Sequence, residues 1–126
     1  MKKINVGIIG LGVGFKHLKN LEKINKVNKI YFFDFNLKKL NKLPIITNSK
    51  KFFKVNNENE IFQNPDIDLV CICSYDNYHF SHVKESLKNN KHIFVEKPLC
   101  LTSNELNFIR KKVTQKKNIF LSSNFV

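Results

Sequence analysis

The sequence has no tryptophan, only three prolines and four glycines, and just 10 acidic residues against 22 basic ones. No apolar run approaches the roughly 18 residues that a membrane span needs, so no membrane partner is expected. The opening residues, Met1 to Gly7, lack the apolar core and small-residue cleavage site of a secretory signal, and a cytoplasmic protein is expected. Cysteine is scarce and odd in number: Cys71, Cys73 and Cys100. Without a secretion signal that does not suggest a disulfide framework. Cys71 and Cys73 alternate on an apparent strand, and no C-x-x-C pair or second ligand pair exists to hold zinc. They read as small buried hydrophobes, and no metal is expected. Arginine is nearly missing too. Every basic residue except Arg110 is lysine, and the lysines are dispersed along the chain. Nucleic-acid sites favour the bidentate, stacking guanidinium, so the formal charge of +12 does not indicate a nucleic-acid partner.

What remains is an ordinary globular composition, with 42% hydrophobic and 25% charged residues in 126. That length supports one domain and one core. There is no internal repeat and no low-complexity linker. Ile4 to Ile9 reads as a buried strand running into glycines. From Val13 a helical pattern takes over, with Leu18, Leu21 and Ile24 on one stripe. Lys29 to Phe33 is a second strand closed by Asp34, and Asn36 to Asn41 a short helix stopped before Pro44. A short strand near Phe52, a helical turn over 57–62 and a turn at Asn64-Pro65-Asp66 follow. Leu69 to Cys73 is the most apolar run and is expected to be central in the sheet. A helix over 77–89 buries Phe80, Val83 and Leu87 and stops at Asn89-Asn90. Ile93 to Val95 is the next strand. Thr102-Ser103-Asn104-Glu105 forms a capping box for a helix that buries Leu106, Ile109 and Val113. A last strand starts at Ile119 and runs toward Val126. Alternating strands and helices predict an α/β fold, a doubly wound parallel sheet of the Rossmann type in a single domain.

Gly10-Leu11-Gly12-Val13-Gly14 lies between the first strand and the first helix, where a dinucleotide-binding turn belongs. The first glycine permits the tight turn, and the second lets backbone approach a pyrophosphate facing the free N–H groups of the helix start. The third glycine stands one residue earlier than in G-x-G-x-x-G, with Phe15 at the usual place. Asp34, ending the second strand, can accept hydrogen bonds from adenosine ribose hydroxyls and repel a 2′-phosphate, which favours NAD over NADP. No arginine follows it, although Lys38 and Lys39 lie close.

Two further segments emerge at the carboxyl edge of the expected sheet, Ser74-Tyr75-Asp76-Asn77-Tyr78-His79 and Val95-Glu96-Lys97-Pro98, the second closing the stretch Asn90 to Pro98. Together with the glycine turn and Asp34 they resemble the amino-terminal domain of the Gfo/Idh/MocA family (glucose–fructose oxidoreductase, inositol dehydrogenase and relatives). Its pattern is a glycine turn, an Asp, T-P-N-x-x-H and G-K-H-V-x-x-E-K-P. The resemblance runs from Ile4 to the last residue, and E-K-P is its most specific part. The chain departs from the pattern at the displaced glycine, at Tyr75 and Asp76 in place of Pro and Asn, and at Asn90 in place of Gly.

The resemblance implies an NAD-dependent oxidoreductase acting on a sugar, cyclitol or related secondary alcohol. It implies Gly10, Gly12, Val13 and Gly14 at the pyrophosphate and Asp34 at the adenosine ribose. Ser74, Asp76 and His79 would lie beside the nicotinamide half, with Glu96, Lys97 and Pro98 near the nicotinamide ribose. Lys97 would be the catalytic residue, its charge stabilising a developing alkoxide, and Pro98 would aim it into the cleft, with a cis bond one way of doing so. His17 and His92 are expected to be structural and His82 to lie on the surface. The family's second domain, which carries most of the substrate pocket and the usual homo-oligomer interface, is not in this stretch of sequence. Residues 1–126 are therefore expected to be the dinucleotide-binding half of an enzyme. The alternative is a dinucleotide-binding module or fragment without catalysis of its own.

Overall fold

Ile4–Ile9 forms β1 because its apolar residues can be covered on both faces: Val6, Ile8 and Ile9 are all fully buried. The structure is a computed structural model that describes residues 2–46 and 49–123. Its elements follow in the order α1 (Val13–Glu22), β2 (Val27–Phe33), α2 (Leu37–Ile46), β3 (Phe52–Lys54), α3 (Asn59–Phe62) and β4 (Leu69–Ile72). Then come α4 (Asp76–Lys88), β5 (His92–Val95), α5 (Ser103–Gln115) and β6 (Leu121–Ser123). The six strands make one sheet in the order β3-β2-β1-β4-β5-β6, and every pair is parallel. This is the doubly wound arrangement, with the direction of winding reversing between β1 and β4. Ile72 and Val95 are buried like Ile8 and Ile9, each such side chain contributing about 1.5–3 kcal/mol through burial.

Local chemistry accounts for most of the boundaries. Asn36 starts α2, its Oδ1 accepting from the N–H groups of Lys38 (3.0 Å) and Lys39 (3.3 Å). The helix does not stop before Pro44 as expected but runs to Ile46. The proline has no N–H to give the Leu40 carbonyl, but its fixed φ of about −65° is itself helical, and the helix continues for two more residues. Ile24 falls beyond the end of α1 and is exposed, so the expected stripe narrows to Leu18 and Leu21. β2 begins two residues earlier than expected, at Val27, where it pairs with Ile4. β6 begins at Leu121 rather than Ile119, and residues 124–126 of the expected strand lie outside the described residues.

Two helix ends match their sequence signals closely. At the end of α4, Asn90 takes a left-handed φ of 58°. Its N–H donates to the Leu87 carbonyl (3.1 Å), and the Lys91 N–H donates to the Ser86 carbonyl (2.9 Å), which is the Schellman pattern. At the start of α5, Thr102 Oγ1 accepts from the Glu105 N–H (3.1 Å). Glu105 reaches back to the Leu101 N–H (2.8 Å), one residue before the cap. Among the described residues no helix is long and apolar enough to cross a membrane.

Candidate functional site

The carboxyl ends of β1, β2, β4 and β5 open into one cavity of about 570 Å³. It lies at the reversal of the winding, where a doubly wound sheet leaves a crevice. Gly10 and Gly12 from the β1–α1 turn, Asp34 after β2, Ser74 and Asp76 after β4, and Glu96 and Lys97 after β5 all line it. Hydrogen bonds of the strand type carry the sheet into these loops: Gly10 N–H to Phe33 O, Cys73 N–H to Ile9 O and Glu96 N–H to Ile72 O, each 2.8–2.9 Å.

The three turn glycines do different things. Gly10 has φ +95°, and a Cβ there would lie 2.4 Å from the Cys73 carbonyl oxygen, so only glycine fits. Gly12 faces open space, with nothing closer to such a Cβ than the Lys39 Nζ at 3.9 Å. It immediately precedes α1, where the Phe15 N–H turns back to the Gly12 carbonyl (3.3 Å) and the N–H groups of Val13 and Gly14 have no intrahelical partners. Gly14, expected at the pyrophosphate, is not on the cavity wall: it is buried on the underside of α1, where a Cβ would come within 3.1 Å of Ile8 Cγ2 and 3.2 Å of Cys73 Cβ. One residue early, it still does the packing work of a third glycine, holding helix close to sheet, while Val13 takes the place on the cavity wall.

Asp34 is half-buried and tied into the turn. Its Oδ2 accepts from the Leu11 N–H and its Oδ1 from the Asn36 N–H, both at 2.7 Å. Each oxygen keeps a further lone pair for a hydroxyl donor. Across the cavity, Glu96 Oε1 lies 2.6 Å from His17 Nε2. That pair fastens α1 to the end of β5, with the His17 ring edge-on to Phe94 at 5.3 Å. His17 is thus structural, and what it holds is a residue on the cavity wall. Lys97 is exposed on the wall, and the Lys97–Pro98 peptide is cis. Pro98 is not on the wall itself. Its carbonyl lies 2.6 Å from His79 Nδ1.

His79 reaches the cavity but is almost wholly buried, with its Nε2 2.8 Å from the Ser74 carbonyl. Its ring therefore ties the loop after β4 to the loop after β5. Asp76 is exposed in the first turn of α4, where the helix dipole favours a carboxylate. His92 is structural as expected, its Nδ1 accepting from the Phe120 N–H at 3.0 Å. His82 is not on the surface: it is 1% exposed. His79, His82, Val83 and Ser86 form one buried helical stripe, a periodicity present in the sequence but masked by the polarity of its members. Sequence reasoning also missed Phe35, Asn36 and Tyr78 on the wall, which Lys39 shares with them. Tyr78 sits within the quoted motif, and Phe35 and Asn36 follow Asp34 directly. The thiols of Cys71 and Cys73 stay protonated because burial raises both, Cys71 to about 12, with Glu96 adding to the effect.

The comparisons agree with this geometry. Residues 4–125 match the family model described as the oxidoreductase family with an NAD-binding Rossmann fold. A myo-inositol 2-dehydrogenase of Thermotoga maritima is 29% identical over 97% of this chain. The scyllo-inositol dehydrogenase of Lactobacillus casei superimposes with a TM-score of 0.84 at 26% identity over 98% of this chain. A biliverdin reductase from Synechocystis, at 20% identity, shares the fold with a TM-score of 0.87. The chain spans 36–37% of the length of these proteins. With its glycine turn, its strand-end Asp and its Glu-Lys-Pro edge gathered at one crevice, the chain belongs to the GFO_IDH_MocA oxidoreductase family and forms its NAD-binding Rossmann domain.

Proposed function

We propose that this chain is the nucleotide half of an oxidoreductase that prefers NAD to NADP and acts on a sugar, cyclitol or related secondary alcohol. The observation that carries the cofactor reading is the cradle at Gly10–Gly12. Neither glycine puts a side chain in the way, the start of α1 offers N–H donors, and the Asp34 carboxylate, bound to the Leu11 N–H beside them, has acceptor capacity to spare. Those donors and acceptors fit a pyrophosphate and a ribose respectively. When bound, a nicotinamide supplies the hydride acceptor. The chain's own residues then bind, orient and stabilise charge. The N–H groups of α1 meet the phosphates, Asp34 accepts from the adenosine ribose, and Glu96, held by His17, offers acceptors at the opposite end. Lys97 presents an ammonium group at the wall, where it can donate to a substrate oxygen and lower the energy of negative charge developing there.

The preference for NAD rests on Asp34, whose charge opposes a 2′-phosphate. The alcohol substrate rests on relatives named for inositol, with the remaining pocket coming from sequence outside this span. Titration of the chain with NADH and NADPH, followed by nicotinamide fluorescence, tests the reading. Saturable binding is expected, tighter for NADH and weakened at least about tenfold by Asp34→Ala, on the scale of one hydrogen bond to a charged group. A folded chain that binds neither nucleotide would refute it.

A further inference from the structure

A buried chain of hydrogen bonds runs from the cavity wall toward the surface. Ser74 Oγ lies 2.8 Å from His82 Nδ1, and His82 Nε2 lies 2.7 Å from Glu58 Oε2. His82 is caged by the rings of Phe62, Tyr78 and Phe35, with centroids at 5.7, 5.9 and 6.4 Å. Glu58 is 32% exposed at its side chain.

The donors and acceptors in this chain can be assigned by elimination. A carboxylate only accepts, so His82 Nε2 carries the proton that Glu58 binds. In a neutral ring Nδ1 is then bare and accepts, and the Ser74 hydroxyl has to spend its one proton on it. What Ser74 keeps for the cavity is its lone pairs. We propose that the Glu58–His82 pair is a positioning device that sets the polarity of the Ser74 hydroxyl, so that this point of the wall accepts from a ligand hydroxyl or amide and rejects a phosphate oxygen. The identity of the ligand rests on the dinucleotide reading; the orientation of the hydroxyl does not.

The surroundings keep the ring neutral. Burial lowers the His82 pKa, against the opposing charge and hydrogen bond of Glu58, and His79 on the same helix adds to the lowering. The titratable groups facing His82 are Glu58 ahead of α3 and His79 and Tyr78 on α4; the rings from β2–α2 and α3 are phenylalanines. Protonation would place a hydrogen on Nδ1, reverse the bond to Ser74 and turn the serine O–H outward as a donor.

The test combines two-bond 1H–15N NMR of His82 with NADH titrations of the wild-type chain, Glu58→Gln, Ser74→Ala and the double variant. At pH 7.5 the Nε2–H tautomer is expected, shifting toward Nδ1–H in Glu58→Gln, because an amide can also donate to Nε2. Glu58→Gln should weaken NADH about three- to tenfold, the effect of one neutral hydrogen bond, and should have no effect in the Ser74→Ala background. An Nδ1–H tautomer in the wild type, or equal weakening in both backgrounds, overturns the proposal. If the wild-type chain binds no NADH, the dinucleotide reading falls, and the tautomer and its response to Glu58→Gln still decide which way Ser74 points.

Discussion

Gly10 and Gly12 look interchangeable in the sequence and differ completely in what a methyl group would do to them. At Gly10 an added Cβ collides with the Cys73 carbonyl and the backbone is left-handed. Gly10→Ala is therefore expected to destabilise the fold by at least ~2 kcal/mol, read as a lower midpoint in urea unfolding. Gly12→Ala should leave that midpoint within ~0.5 kcal/mol and instead weaken NADH, since its Cβ would occupy the space beside the helix start. Unfolding midpoints and nucleotide titrations of the two variants, taken together, separate scaffold from site. His82 makes a second prediction. Its folded pKa lies below that of an unfolded histidine, about 6.5. As pH falls the unfolded chain binds that proton first. The stability His82 contributes is thus intact above about pH 6.5 and lost as pH drops through its folded value. His82→Gln should flatten this part of the melting-temperature profile between pH 7.5 and 5; an unchanged slope would contradict the assignment. Part of the cavity wall was legible from motif and place: Asp34, Ser74, Asp76, Glu96 and Lys97 all reach it. The burial of His82 was not, because a histidine counts as polar whichever way it faces.

The elements were legible where local chemistry alone decides them. β1, the helix from Val13 and the Asn89-Asn90 stop need only short-range signals, and each stands where the sequence puts it. Asn90 shows how specific such a signal can be. Its left-handed conformation serves both Schellman bonds, and asparagine tolerates it where β-branched residues do not. Asn90→Val should cost about 1–2 kcal/mol and Asn90→Gly almost nothing, as thermal unfolding of the two variants would reveal. The same stop aims Lys91 inward, where its Nζ donates to the carbonyls of Asn64 and Ile67 and braces the loop entering β4. The run of α2 past Pro44 was not legible, because the lost hydrogen bond argues against a helix while proline's fixed φ is compatible with one. The pairing of His17 with Glu96 was equally out of reach, since it depends on how α1 lies across the sheet.

For the whole molecule, the order of strands and helices was enough to predict a doubly wound parallel sheet, and the order β3-β2-β1-β4-β5-β6 agrees. Topology then does what no single motif can: it brings the ends of β1, β2, β4 and β5 to one crevice. The two central loops meet there through backbone, with Gly10 against the carbonyl of Cys73, and their neighbours are cross-tied by His79 between Ser74 and Pro98. A floor made of main chain is nearly closed to mutation, because no substitution can alter a carbonyl and almost none can replace Gly10. Descendants of this domain would inherit the floor unchanged and diversify at the rim, through Asp34, Phe35, Lys39, Ser74 and Tyr78, so ligand preference can drift over long times while the architecture that holds the ligand stays put.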